Sequence, residues 1–123
     1  MTPNILDVKP IVAYLETLVN LPSPTGYTAQ VEQFLISNAQ QKQIPYEQTR
    51  KGAVIYRFAA PSSRPGVMFA AHVDTLGAIV KDVSNDAVTL SPIGKSPVVY
   101  LIGDYCQIHA FDGTVYEGTI LPN

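Results

Sequence analysis

The chain has 123 residues, of which 46% are hydrophobic and 15% are charged, and its formal net charge is −2. This composition is typical of about one folded domain and disfavours disorder, and the absence of a basic patch excludes nucleic acid and a membrane surface as expected partners. No apolar run approaches the ~20 residues of a membrane span. A single cysteine, Cys106, excludes a disulfide within the chain, and residues 1–4 lack signal-peptide character, so we expect a cytoplasmic location.

The first forty residues predict two helices that are separated by a rigid loop. Apolar residues recur at helical spacing over about 5–19, after Asn4 as a candidate cap, and Pro10 is expected to shift the helix start or to introduce a kink. The segment 21–26 carries two prolines and a glycine, so it ends that helix. A second helix is predicted over about 27–41. Its expected core-facing residues are Val31, Phe34 and Leu35.

Strand patterns follow the two helices. Residues 46–49 and 53–58 flank a Lys-Gly turn and predict a hairpin. The five apolar residues 67–71 predict a strand that is buried on both faces, and His72 and Asp74 come directly after it. Because residues i and i+2 of an extended chain point to the same side, both side chains are expected to leave the strand end together. Ligands of α/β proteins bind at such strand ends.

After Gly77 the pattern changes to short strands with frequent turn signals and no helical periodicity. This pattern predicts a small β-barrel or sandwich. The chain is therefore expected to hold an α/β part, residues 1–77, and an all-β part, residues 78–123, neither of them long enough to be complete. The expected strands of the all-β part are 78–83, 87–90, 105–110 and 114–121.

The strongest chemical signal is the pair His72 and Asp74. A histidine that binds a metal usually has its second ring nitrogen held by a carboxylate or carbonyl, which makes His72 a candidate metal ligand. The alternative is a buried histidine that is hydrogen-bonded to a carboxylate with no metal. Zinc needs three or four protein ligands, and the other histidine of the chain, His109, lies in the all-β part. Alone, the chain does not present a full ligand set.

Two further residues of the all-β part are weaker candidates. In the strand that contains both, Cys106 is expected to face inward as a small core residue and His109 to face solvent. No Gly-x-Ser-x-Gly elbow and no phosphate-binding glycine loop occurs in the sequence. Nucleophilic serine and cysteine chemistry is therefore not expected.

Four stretches together resemble a known family. The run Ala-His-Val-Asp-Thr-Leu-Gly-Ala-Ile-Val at 71–80 resembles the Ala-His-x-Asp-x-x-Gly-x-x-Val block of the glutamyl aminopeptidase, or tetrahedral aminopeptidase, family. Residues 21–27 resemble the early loop of that family, and residues 50–55 resemble its Gly-Asn-Leu-Ile hairpin. Stretches within 103–114 resemble the start of its inserted β domain. These blocks follow the order of the family.

The resemblance implies a fold and a chemistry. The expected fold is α/β: a partial zinc-exopeptidase-like catalytic domain followed by the start of an inserted small β-barrel domain that supports oligomerisation. The implied activity is that of a metallo-aminopeptidase, in which two divalent ions (Zn, Co or Mn) activate a water that attacks the first peptide bond of a peptide substrate. By this resemblance His72 is a ligand of one metal, and Asp74 is the catalytic-site carboxylate that supports it.

The resemblance also implies that part of the site is missing. The bridging aspartate, the general-base glutamate and the remaining ligands of the family belong to a later segment that has no counterpart here. We therefore expect an N-terminal portion, left by truncation or proteolysis, that supplies at most one ligand, is inactive alone and associates with itself through its β part.

Two alternatives stay open. One is a related metallo-carboxypeptidase or deacylase, although such enzymes lack a barrel after the motif. The other is a non-catalytic binding or assembly module that uses the β part as its interface.

Overall fold

The computed structural model describes residues 7–59, 66–95 and 97–122. Within them the chain is a mixed α/β protein with two helices, three small two-stranded sheets and one short 3-10 helix, Val98–Leu101. The helices are α1 (Lys9–Asn20) and α2 (Ala29–Gln41), and the strands are β1 (Tyr46–Gln48), β2 (Val54–Tyr56), β3 (Gly77–Val83), β4 (Val88–Ile93), β5 (Tyr105–His109) and β6 (Val115–Thr119). None of the described helices is long and apolar enough to cross a membrane.

The chain divides into two compact units, one up to Ala78 and one from Ile79 onward. The division falls within β3. The first unit holds both helices and the β1–β2 hairpin. The second unit holds most of β3 and the strands that follow it. The roles expected for residues 1–77 and 78–123 stay predictions.

Helix α1 begins later than the apolar pattern predicted. It starts at Lys9 with Val8 as the capping residue, and Pro10 lies in the first turn. A proline is tolerated there because the first-turn N–H groups have no partner within the helix, so Pro10 moves the start and causes no kink. The predicted cap, Asn4, lies outside the described residues.

Helix α2 carries the small core of the first unit. Val31 is fully buried, and the rings of Tyr14 in α1 and Phe34 in α2 lie 5.4 Å apart between their centroids. The hydroxyl of Tyr56 in β2 donates to the backbone carbonyl of Leu35 at 2.6 Å. These contacts join both helices to the hairpin, and the burial of Val31 confirms its predicted core-facing position.

The hairpin of β1 and β2 forms at the predicted Lys-Gly turn. The strands are antiparallel, with Tyr46 opposite Tyr56 and Gln48 opposite Val54. Gly52 has a φ of +85°, a conformation that side-chain-bearing residues rarely adopt. The sequence therefore determines this turn through one glycine.

The apolar run before His72 is not a buried strand, and that prediction is wrong for the described structure. Residues 67–71 form no regular secondary structure, and Val67, Met68 and Phe69 are 80%, 85% and 94% exposed. An apolar run becomes a buried strand only when neighbouring strands pair with its backbone and other layers cover its faces. Among the described residues no strand pairs with it.

In the second unit the strands pair two by two. Strand β3 pairs with β4, and β5 pairs with β6 in antiparallel register, with Cys106 opposite Gly118 and His109 opposite Val115. Strand β4 continues to Ile93 through Pro92, beyond the predicted end of this strand at residue 90. A proline fits there because every strand of a two-stranded sheet has one unpaired edge.

Candidate functional site

The backbone after His72 is attached to the loop that precedes α2. The Thr75 N–H donates to the Ser23 carbonyl at 2.8 Å, and Pro24 forms an isolated parallel bridge with Thr75. The Ser23 side chain is fully buried, and its hydroxyl donates to the Val73 carbonyl at 3.0 Å. The segment 73–75 is therefore held by two hydrogen bonds from one residue, roughly fifty positions earlier in the sequence.

Close packing accompanies these bonds. Gly77 lies so close to the loop that a Cβ atom there would be 2.5 Å from the Pro24 Cβ. Real Cβ atoms essentially never approach so closely, so only glycine fits at this position without movement of the proline ring. We call residues 23–25 the strap, because they hold residues 73–77 in place.

The strap also reaches the Asp74 carboxylate. The Thr25 hydroxyl donates to Asp74 Oδ2 at 2.7 Å. This hydrogen bond is the largest cause that lowers the pKa of the Asp74 carboxyl; desolvation opposes it, and the Asp74 backbone and His72 add smaller contributions in the same direction as Thr25. Asp74 is therefore an acceptor-only carboxylate near neutral pH.

The other oxygen of Asp74 faces the His72 ring. His72 Nδ1 lies 3.2 Å from Asp74 Oδ1 and 3.0 Å from the Asp74 carbonyl oxygen. A carbonyl oxygen can only accept, so this geometry assigns a proton to Nδ1. In the neutral ring the lone pair then lies on Nε2. The His72 side chain is 86% exposed, which leaves its ring accessible to a ligand.

An open groove lies beside this pair within the first unit. Its walls are the loop 25–28, Glu32 of α2, the turn between β1 and β2, and residues 71–74. Glu32 is already engaged, because it accepts hydrogen bonds from Thr28 and from the Gln48 side chain. The groove therefore has one exposed imidazole and one supported carboxylate at its edge.

The structure brings His72 and Asp74 together. Among the described residues, no group of three or more His, Cys, Asp or Glu side chains is placed to hold a metal ion. Cys106 and His109 are both half-buried in β5, so the predicted inward side of Cys106 and the predicted solvent-facing side of His109 stay predictions.

The strap is the part of the site that the sequence did not reveal. The segment 21–26 was predicted as a rigid loop, but no local pattern connected Ser23 or Thr25 with Asp74. The Thr25–Asp74 bond spans 49 positions. The available signal was the placement of two hydroxyl residues around prolines in a loop just before a helix.

Comparison with known protein families identifies the family of this chain. The family model described as M42 glutamyl aminopeptidase matches residues 52–123, more than half of the chain, and this range includes both His72 and Asp74. The chain belongs to the M42 glutamyl aminopeptidase family. The resemblance inferred from the sequence is thereby confirmed.

A curated relative agrees with this membership. The M42 chain described here is 34% identical over 116 residues to the protein named "Putative aminopeptidase YhfE" of Bacillus subtilis (strain 168). The match covers 94% of this chain and 34% of the relative, so the chain spans about a third of the length of the curated relative.

Proposed function

We propose that this chain is part of a metal-dependent aminopeptidase, in which Nε2 of His72 binds one of two divalent metal ions and Asp74 supports His72. The observation that carries the proposal is the contact of His72 Nδ1 with Asp74, at a position inside the region that matches an aminopeptidase family. This contact leaves the Nε2 lone pair available in the neutral ring.

The His72 imidazole fits one ligand position of a metal site. A neutral imidazole nitrogen is a ligand for Zn, Co or Mn, and a ligating histidine usually donates its other N–H to a carboxylate or carbonyl. The described part of the chain supplies no three-residue cluster that would complete the site. Two such ions, when bound, supply an activated water and a polarised peptide carbonyl.

The residues of this chain have their own tasks in that scheme. His72 keeps its proton on Nδ1, and Asp74 holds the ring in one orientation through Oδ1. The groove beside them is open to solvent. A peptide is the substrate class that we infer from the family and from the name of the relative. Residues 1–77 would then form the first part of a zinc-exopeptidase-like catalytic domain, and residues 78–123 the start of a barrel domain.

An activity assay tests the proposal. The 123-residue chain is expected to show no hydrolysis of aminoacyl p-nitroanilides with added Zn²⁺, Co²⁺ or Mn²⁺, because it supplies one ligand. The same residues, joined to the part of the Bacillus relative that the match does not cover, are expected to hydrolyse them. His72→Ala should then abolish turnover, and His109→Ala should not. Turnover by the 123-residue chain, or full activity of the joined His72→Ala protein, contradicts the proposal.

A second candidate is a metal-free assembly module. It is favoured by the lack of a complete ligand cluster among the described residues and by the exposed apolar residues of the chain. Calorimetric titration with Zn²⁺ separates the two functions. Binding that His72→Ala removes supports the metallopeptidase, and no binding in either the short or the joined protein supports the module.

Self-association and location complete the proposal. We infer a homo-oligomer that forms through the β part, since two-stranded sheets leave strand edges unpaired. Light scattering of the chain at high concentration should give a mass above that of the monomer, and a strictly monomeric mass contradicts this. The single cysteine keeps a reducing, cytoplasmic compartment as a prediction.

A further inference from the structure

Thr25 contacts the Asp74 carboxylate, which in turn lies beside the His72 ring. Its hydroxyl donates to Asp74 Oδ2 at 2.7 Å, while Asp74 Oδ1 lies 3.2 Å from His72 Nδ1. A carboxylate is planar, so a bond that fixes Oδ2 also fixes the direction of Oδ1. Removal of the Thr25 hydroxyl would leave the Asp74 carboxylate free to rotate about its last side-chain bond.

Thr25 is itself held on both sides. Pro24 restricts the backbone before it and bridges to Thr75, and Gly26 follows with a φ of +91°. The Tyr27 N–H donates to the Pro24 carbonyl at 2.7 Å and closes a turn across Thr25. The Thr25 hydroxyl is therefore presented by a turn whose backbone is itself held in place.

The bonds form one connected chain of groups. Thr25 fixes the Asp74 carboxylate, Asp74 accepts from His72 Nδ1, and the Asp74 carbonyl oxygen is a second acceptor for the same N–H. We propose that Thr25 is a positioning residue that acts through Asp74 to hold His72 as the tautomer with its proton on Nδ1 and its lone pair on Nε2. This inference rests on the proposed function only in that the Nε2 lone pair is the one offered to a metal.

The test is nitrogen NMR of the metal-free 123-residue chain with ¹⁵N-labelled histidine. The chain has only two histidines, so His109→Ala assigns the His72 signals. Spectra are recorded at stepwise increasing pH until the His72 signals stop changing, and the tautomer is read from that plateau. In the wild type we expect the tautomer with its proton on Nδ1 to predominate over the one with its proton on Nε2.

Thr25→Val keeps the size of the side chain and removes the donor. Its expected effect is a decrease of the Nδ1–H to Nε2–H ratio of roughly three- to fivefold, the scale of one ordinary hydrogen bond. Thr25→Ser retains a hydroxyl and is expected to restore the wild-type ratio. Thr28→Val is the matched control, because Thr28 lines the same groove but donates to Glu32 and not to Asp74.

A second arm keeps the test decisive if Thr25→Val loosens the loop. Exchange protection of the Thr75 amide, which donates to Ser23, shows whether the strap is intact. Asp74→Ala should shift the tautomer in the same direction as Thr25→Val, and the double variant should shift it no further than Asp74→Ala alone. An unchanged tautomer ratio in Thr25→Val with a protected Thr75 amide overturns the inference. So does a double variant whose effect is the sum of the two single effects.

This experiment is independent of metal binding. If the tautomer follows Thr25 but His72→Ala leaves the metal content of the joined enzyme unchanged, the positioning role stands and the metal role fails. If His72 binds metal but its tautomer ignores Thr25, the proposed function stands and the positioning role fails.

Discussion

Two adjacent stretches on either side of His72 differ in what holds them. The approach segment, residues 66–71, is apolar at most positions, yet it is exposed and pairs with no described strand. The strapped segment, residues 73–77, contains Asp74 and Thr75 and is bonded to the loop before α2. The backbone around Asp74 is therefore positioned by polar contacts with a loop that is distant in the sequence. An apolar segment is fixed in the fold only when other elements pack against it.

The largest expected effect comes from crowding the strap. Gly77→Ala would place a Cβ atom 2.5 Å from Pro24, and overpacking of this kind typically costs about 1–3 kcal/mol of stability. Urea denaturation and exchange of the Thr75 amide measure the loss. Gly66→Ala is the matched control, because no atom of the described residues lies within 4 Å of its added Cβ atom. Equal stability of the two variants would show that the close contact between Gly77 and Pro24 does not constrain the fold.

The next effect in size comes from the buried hydroxyl. Ser23→Ala removes the donor to the Val73 carbonyl and should cost about 1 kcal/mol, the usual net value of a hydrogen bond. Ser84→Ala provides the comparison, since the exposed Ser84 hydroxyl donates to the Ala87 carbonyl at 2.8 Å. Thermal melts of both variants should show a larger loss for Ser23. A larger loss for Ser84 would mean that the strap is not the firmer of the two contacts.

A pH-dependent effect concerns Tyr56 of β2, whose hydroxyl donates to the Leu35 carbonyl of α2. Burial first, and then the neighbouring Tyr14, raises the pKa of Tyr56 to about 12. Because the folded value lies above the ordinary 10.0, the stability that comes from the neutral phenol is complete below pH 10 and is lost as the pH rises toward 12. Ultraviolet titration of the wild type against Tyr56→Phe should reveal one tyrosine that ionises late. Identical titration curves, apart from one ordinary tyrosine, would contradict this.

The smallest effect is expected in the approach segment. Phe69→Ser changes a side chain that is 94% exposed, so the stability of the chain should change by no more than about 0.5 kcal/mol. Self-association should stay unchanged, because Phe69 lies outside the β part through which the chain is proposed to associate. Denaturation and light scattering measure the two quantities. A large loss of stability would show that this segment is buried in the chain in solution.

Local signals predicted the local elements. The helical spacing of apolar residues predicted both helices, and the Lys-Gly turn predicted the β1–β2 hairpin, in which Gly52 has a positive φ. The start of α1 moved to Lys9, because Pro10 fits the first helical turn better than a later one.

Contacts between distant residues could not be predicted in the same way. The run 67–71 indicated burial, but burial depends on strands that must pair with it. The bonds from Ser23 and Thr25 to residues 73–75 join positions about fifty apart, which no periodicity reports. His72 and Asp74 were found from their own spacing, whereas the residues that hold them in place required the structure.

The metal content of the joined enzyme tests the central claim most directly. Elemental analysis should find two divalent ions per protomer in the wild type and in His109→Ala, and no more than one in His72→Ala. Two ions in the His72→Ala protein would show that His72 is not a ligand, and the account of this site as one corner of a metal centre would then be wrong.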